Sequence, residues 1–295
     1  MTTRRAAQNG FTLIEAIIVI VITGILSAIV AVFITRPVAG YVDASRRAQL
    51  TDAADGALRM MGRDIRSALP NSIRVSNNGT DFYLEFLATR AGGRFQQNDA
   101  CFTSGVGCNQ LLTQGSIINN FGAFGANDSI AIFNLYNNQL GDCSINNPSA
   151  YCGQNTVAVT GVAGANSDTL NFANTVFLPA LGTSPPGDRF QIIDGTQQAV
   201  TYACNPAVAG VGASANGTGT LTRQWGYGIN PVQAVPPNPP AGGTTALLAQ
   251  NVSRCTIQYA QGSTENSGLV TIWLELMRNG ESVSLNYQVH VSNVP

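Results

Sequence analysis

The stretch GFTLIEAIIVIVITGILSAIVAVFITRP, residues 10–37, decides the fold. From Phe11 to Ile34 it is apolar, broken only by Thr12, Glu15, Thr23, Gly24 and Ser27. A membrane-spanning helix needs about 20 such residues, so the run is long enough to cross with some tilt. Arg36 and Pro37 close it. Ahead of it, Arg4 and Arg5 retain the N-terminus on the cytoplasmic side, which leaves the bulk of the chain outside. A secretory signal peptide has a shorter apolar core, about 7–15 residues, followed by a small-x-small cleavage site. Here the run is longer and no such site follows it. Two adjacent arginines are also too little for a twin-arginine export signal.

Glu15 is the residue that an ordinary anchor does not explain. Inserting a carboxylate near the end of an apolar helix costs on the order of a few kcal/mol, and such residues mark function by default. A buried carboxylate demands a partner.

Gly10-Phe11-Thr12-Leu13-Ile14-Glu15, followed at once by the apolar run and preceded by a short basic leader, resembles the cleavage and methylation motif of type IV prepilins and pseudopilins. The resemblance implies that a prepilin peptidase cuts after Gly10 and methylates Phe11 as the new N-terminus. It also implies that Glu15 meets the N-terminal amino group of a neighbouring subunit. The large head, with Arg63-Asp64-Ile65-Arg66, a Cys101-x6-Cys108 loop, Gly187-Asp-Arg-Phe190 and a hairpin from Trp273 to Val291, is similar to minor pilins of MSHA (mannose-sensitive haemagglutinin) pilus biogenesis. The J-type minor pseudopilins of type II secretion, and tip adhesins, are the alternatives. The partners so implied are the prepilin peptidase, other minor and major pilins, the inner-membrane assembly platform and the membrane itself. The localisation implied is a single-pass inner-membrane protein with a periplasmic head, able to enter a cell-surface pilus. Many pilins carry a kinking proline inside the apolar run; here Pro37 lies beyond it.

Past Pro37 the helix is expected to resume and to run to about Leu69. Leu58, Met61, Ile65 and Leu69 recur at helical spacing. Arg46, Arg47, Arg59, Arg63 and Arg66 interleave with Asp43, Asp52, Asp55 and Asp64, which reads as a solvated face of mixed sign. Pro70-Asn71 stops the helix.

From about residue 72 the period becomes two. Strands are expected around Phe82–Leu87, Ile130–Asn134, Leu170–Phe172, Phe190–Ile192, Ala199–Cys204, Leu221–Trp225, Val252–Tyr259, Leu269–Met277 and Ser282–Val291, with Asn279-Gly280 at the tip of the last hairpin. The Gly- and Asn-rich stretches 91–127, 137–154 and 205–220 are expected as loops, with Gly92-Gly93 in a turn. Val235-Pro-Pro-Asn-Pro-Pro240 reads as a stiff surface loop. The fold class is therefore α+β: a long N-terminal helix, membrane-spanning in its first half, packed on an antiparallel meander. The expected organisation is a leader over 1–10, a transmembrane helix over 11–35, an amphipathic helix over 36–70 and a β-rich head over 71–295.

Composition narrows the chemistry. Charged residues make up 11% of the chain, against about a quarter in ordinary soluble proteins. The net charge of -1 offers no footprint for nucleic acid. The chain has no lysine, which excludes P-loop, Schiff-base and Ser-Lys chemistry, and its one histidine, His290, reads as a packed or half-exposed strand residue. The acidic residues of the head are scattered and form no calcium loop. No enzyme activity, cofactor or metal is expected. Trp225 and Trp273 lie in expected strands and are expected in the core, with a sugar-stacking platform as the alternative. Cys101, Cys108, Cys143, Cys152, Cys204 and Cys255 lack C-x-x-C spacing, and an even count behind an export-type N-terminus points to disulfides. The shortest loops pair Cys101 with Cys108 and Cys143 with Cys152, leaving Cys204–Cys255 as a long-range link.

Overall fold

The computed structural model describes residues 10–96, 108–114, 124–125, 127–143, 148–164, 167–176, 186–236, 238–262 and 267–294. The chain divides into two compact units, Met1–Gln49 and Leu50–Pro295.

One helix, α1, runs over Leu13–Arg66 without a break at Pro37. Its first part, Leu13–Ile34, has a mean hydropathy of 3.1 and none of it is buried. At 1.5 Å per residue this is about 33 Å of helix, matched to a hydrocarbon layer of about 30 Å. The hydroxyl of Thr23 bonds back to the Val19 carbonyl at 2.7 Å, so the helix satisfies that polar group internally.

In the second unit the helical stripe becomes core. Leu50, Ala54, Leu58, Met61 and Ile65 are buried against Leu84, Phe86, Tyr202, Ile257, Ile272 and Leu274. Burying such a side chain contributes roughly 1.5–3 kcal/mol, so packing rather than propensity holds this half of α1. The helix ends at Arg66, a little before the expected Leu69. The reason is tertiary: the Leu69 amide leaves the helical ladder and donates to the Leu87 carbonyl at 2.8 Å.

The helix packs on a seven-stranded antiparallel sheet made of β1 (Arg74–Asn77), β2 (Phe82–Leu87), β9 (Ala199–Asn205), β12 (Gly219–Trp225), β13 (Thr244–Ala260), β14 (Gly268–Arg278) and β15 (Glu281–Val291), in that order across the sheet. Together with the long helix, this gives the α+β architecture expected from the sequence. Only β12 to β15 form a meander, because β9 enters between β2 and β12. At the β14–β15 turn Asn279 and Gly280 both have positive φ, 50° and 77°, which is the backbone a two-residue hairpin of matching twist requires.

A second sheet of six strands was not anticipated. It contains β3 (Thr89–Arg94), β4 (Cys108–Leu112), β5 (Ser129–Ile132), β6 (Thr156–Ala163), β7 (Thr169–Val176) and β8 (Arg189–Ile193), in the order β3-β8-β5-β6-β7-β4. Its core is Phe95, Leu111, Ile130, Ile132, Leu170, Phe190 and Ile192. The two sheets share two passes of chain: β2 runs on into β3 past Ala88, and β8 returns into β9. At the junction the Ala88 amide donates to Gln198 and the Asp194 amide donates to Ala88, both at 2.9 Å. Gly92-Gly93 therefore lies within a strand and not in a turn. A Cβ on Gly92 would stand 3.2 Å from the Phe190 carbonyl of the neighbouring strand, so the glycine permits close approach of β8. The short strands β10 (Val208–Ala209) and β11 (Asn216–Gly217) likewise occupy part of an expected loop.

Candidate processing and assembly site

Gly10, Phe11 and Thr12 precede the first helical residue, Leu13. The Glu15 amide donates to Thr12 Oγ1 at 3.4 Å, and the Ala16 amide to the Thr12 carbonyl at 3.2 Å. Thr12 thus occupies the N-cap and Glu15 the third helical position. This Thr-x-x-Glu spacing is that of a capping box, a signal in the sequence that the reading above passed over. A carboxylate in the first turn also faces the positive end of the helix dipole. Glu15 is exposed, and Phe11 and Leu13 are 82% and 81% exposed.

A Cβ on Gly10 would meet nothing within 4 Å, so folding does not require glycine there. The cap and the exposed junction lead into a helix long and apolar enough to cross a membrane. Residues 5–31 match the family model of the prokaryotic N-terminal methylation motif. That match supports a type IV pilin-like protein, a structural class rather than an enzymatic one. The methylation motif and the apolar helix are together consistent with membrane anchoring. No curated protein and no solved structure matches the chain.

The cysteines stand apart from this motif. Cys143 and Cys152 are bonded with Cα atoms 5.5 Å apart, and Cys204 and Cys255 with Cα atoms 6.4 Å apart. Cys101 lies outside the described residues, and so does its pairing with Cys108. Among the described residues no group of three or more His, Cys, Asp and Glu is placed to hold a metal ion.

His290 lies in β15 as expected, on its exposed face between buried Val289 and Val291. Other side chains depart from their sequence reading. Trp273 is 43% exposed, not core, because it falls on the solvent face of β14, where its indole N–H donates to Ser284. Trp225 is half-buried, with the Arg223 guanidinium 4.8 Å above its ring. Asp64, read as part of a solvated face, accepts from Arg223 Nε and from the Tyr202 hydroxyl, each at 2.7 Å.

The head also holds a buried ion pair that periodicity did not reveal. Arg74, fully buried, donates from Nε and Nη2 to Glu85 Oε1 at 3.1 and 2.6 Å. Its guanidinium lies 3.6 Å from the centre of the Tyr151 ring and also donates to the carbonyls of Asn230 and Pro231. Glu85 stands in β2, whose residues from Tyr83 to Leu87 are all buried, so both faces of the strand are covered. Burial pushes the Glu85 carboxyl up against the opposing pull of Arg74. Burial likewise holds the Tyr151 and Tyr227 phenols well above their usual range, which keeps both as hydrogen-bond donors.

Proposed function

We propose that the chain is the precursor of a minor type IV pilin of an MSHA-type pilus, of the same kind as the pilus biogenesis protein MshO. In this reading a prepilin peptidase cuts after Gly10 and methylates Phe11. Residues 13–34 then hold the protein in the inner membrane with its head in the periplasm. Glu15 pairs with the methylated amino group of a neighbouring subunit, and the protein acts in pilus initiation or at the filament tip alongside other minor and major pilins.

The observation that carries the reading is the capped junction. A glycine that the fold does not need stands before an exposed Phe11, and a carboxylate stands in the first turn of an otherwise apolar 22-residue segment. In lipid that carboxylate needs a cationic partner, and an amino terminus freed by cleavage supplies one close to the same depth.

The test is the mass of the mature N-terminus of protein taken from its native membrane. A methylated Phe11 is expected. A chain still beginning at Met1, in cells with an active prepilin peptidase, overturns the reading.

A further inference from the structure

The seven-stranded sheet ends in two edge strands of opposite character. At the β1 edge the outward backbone groups are already used. The Val75 amide donates to Gln139 Oε1 at 3.0 Å, and the Ile73 carbonyl accepts from Asn137 Nδ2 at 2.9 Å. β1 is also only four residues long. A short, capped strand is closed against further pairing.

β15 forms the other edge and shows none of these devices. It runs for 11 residues and pairs with β14 from Arg278↔Glu281 to Gly268↔Val291 without a register shift. From Ser282 to Val291 it holds no proline and no Asp, Glu, Lys or Arg. Natural edge strands are ordinarily blunted by such charges, by prolines or by bulges.

The register says which groups are open. In a two-residue hairpin the residues flanking the turn, Arg278 and Glu281, form a hydrogen-bonded pair, and such pairs recur at every second residue. Val283, Leu285, Tyr287, Val289 and Val291 therefore bond to β14. Ser282, Ser284, Asn286, Gln288 and His290 turn their amides and carbonyls outward, and among the described residues no backbone group meets them.

The side chains sort the same way. Those five are polar and exposed. On the helix-facing side Val283, Leu285 and Tyr287 pack on the core yet are only half-buried. One further strand would bond the outward groups and extend the cover over these three. Such a strand alternates apolar residues beside Val283, Leu285 and Tyr287 with polar ones beside Ser284, Asn286 and Gln288. It is uncharged, because a charge set against this stretch would meet no counter-charge.

A second copy of the chain fits poorly. Two β15 strands paired antiparallel are related by an axis normal to the sheet, so their α1 segments over 50–66 run in opposite directions. Chains anchored by α1 in one membrane do not meet that way, a step that rests on the pilin reading. Paired parallel, one sheet is inverted, and the row of Val283, Leu285 and Tyr287 meets the polar row of its partner. The β1 edge of a copy is closed.

We propose that β15 is a docking edge for one extended strand of a different protein chain, about five residues long, uncharged and alternating apolar with polar positions.

The experiment places a photoreactive benzophenone side chain at Gln288 of the full chain in its native membrane and maps the cross-linked peptide by mass spectrometry. The cross-link is expected on a segment of another protein with the stated pattern. Asn286→Pro removes one outward amide, and proline is tolerated where an edge N–H faces solvent. Its thermal melt is expected to match the wild type while the cross-link yield falls about tenfold. Asn286→Lys leaves the backbone unchanged and is expected to lower the yield as well, as a charge on an edge does. A cross-link to a second copy, or to a segment without that pattern, overturns the proposal. So does a yield undiminished in both variants, or no cross-link at all. The mature N-terminus, read from the same sample, keeps the two readings apart. A methylated Phe11 without the cross-link ends this proposal alone, and a chain beginning at Met1 with the patterned cross-link ends the pilin reading alone.

Discussion

Asp64 near the end of α1 accepts a hydrogen bond at 2.7 Å from Nε of Arg223, a residue of β12 that lies 159 positions later in the chain. Tyr202 of β9 donates to the same carboxylate oxygen, and Arg223 also donates to Gln197 in the β8–β9 turn. One carboxylate therefore ties the helix to two strands of the sheet and, through Arg223, to a connecting turn. Removing it leaves a guanidinium only 9% exposed without its counter-charge. Breaking such a pair from one side is costly. Asp64→Asn is expected to lower head stability by roughly 2–4 kcal/mol, while Asp64→Asn with Arg223→Met recovers part of the loss. Urea unfolding followed by the fluorescence of Trp225, which sits under Arg223, checks both.

Gly62 of α1 faces the ring of Tyr287 on β15, and a Cβ at Gly62 would collide with that ring. In an exposed helix interior Gly→Ala stabilises by about 1 kcal/mol; here overpacking opposes it with a cost of typically 1–3 kcal/mol. Gly62→Ala is expected to be net destabilising, and Tyr287→Ala in the same chain to reverse the sign. Thermal melts of the two single variants and the double variant give the coupling. Additive effects would mean that ring and helix do not meet as described.

The parts of this architecture that were legible in the sequence are those whose signal is local. The Leu58, Met61 and Ile65 stripe, the alternation along β14 and β15, and Asn279-Gly280 at their turn each follow from residue spacing. In the second sheet β5, β7 and β8 fall on expected strands, while β3, β4 and β6 were not expected as strands, and without them the separate sheet was not apparent. β3 reads Thr-Arg-Ala-Gly-Gly-Arg, and its glycines serve the approach of Phe190 rather than a turn. β6, by contrast, alternates Val157 and Val159 with small residues, a signal that was present and unread. Arg74 and Glu85 were hidden for another reason. Alternation along β2 does not show that both its faces are covered, which Tyr151, Asn230, Pro231 and Gln233 achieve through long-range contacts that no local pattern encodes. At the N-terminus the reverse holds: the methylation motif is short and local, and its Thr12 cap went unread.

Asp194 supplies a pH dependence with a defined sign. Burial pushes its carboxyl up, but bonds from Thr196 and Gln197 outweigh that effect and hold it below the usual 3.8. The Thr196 amide and hydroxyl reach Oδ1 at 2.8 and 2.6 Å, and Gln197 Nε2 reaches Oδ2 at 3.1 Å. A carboxylate with a depressed folded pKa stabilises above its unfolded value, and that stabilisation is lost as pH falls through the folded pKa. Asp194→Asn is therefore expected to lower Tm at about pH 6 and to differ less from the wild type as the pH is taken below about 3. A gap that stays constant across this window would remove the role given to the carboxylate.

In the proposed reading cleavage rests on Gly10 and assembly on Glu15, so the two steps are expected to separate by mutation. Because Gly10 has open space around it and caps nothing, Gly10→Val is expected to leave the fold of the chain untouched while blocking cleavage. On mass spectrometry the protein would then retain residues 1–10. Glu15→Ala alters a different step. The Thr12 hydroxyl still caps the Glu15 backbone amide, since that bond does not use the Glu15 side chain, so the junction keeps its shape and the mature N-terminus is expected to begin at methylated Phe11. What is lost is the carboxylate that a neighbouring amino group would meet in lipid, worth a few kcal/mol per contact at low dielectric. Recovery of the Glu15→Ala chain in sheared pili, normalised to its membrane pool, is expected to fall at least tenfold. Glu15→Asp is expected to restore part of it, because the charge returns on a side chain shorter by one methylene. Wild-type incorporation of Glu15→Ala would show that helix packing alone registers the subunit and that the carboxylate has no part in assembly.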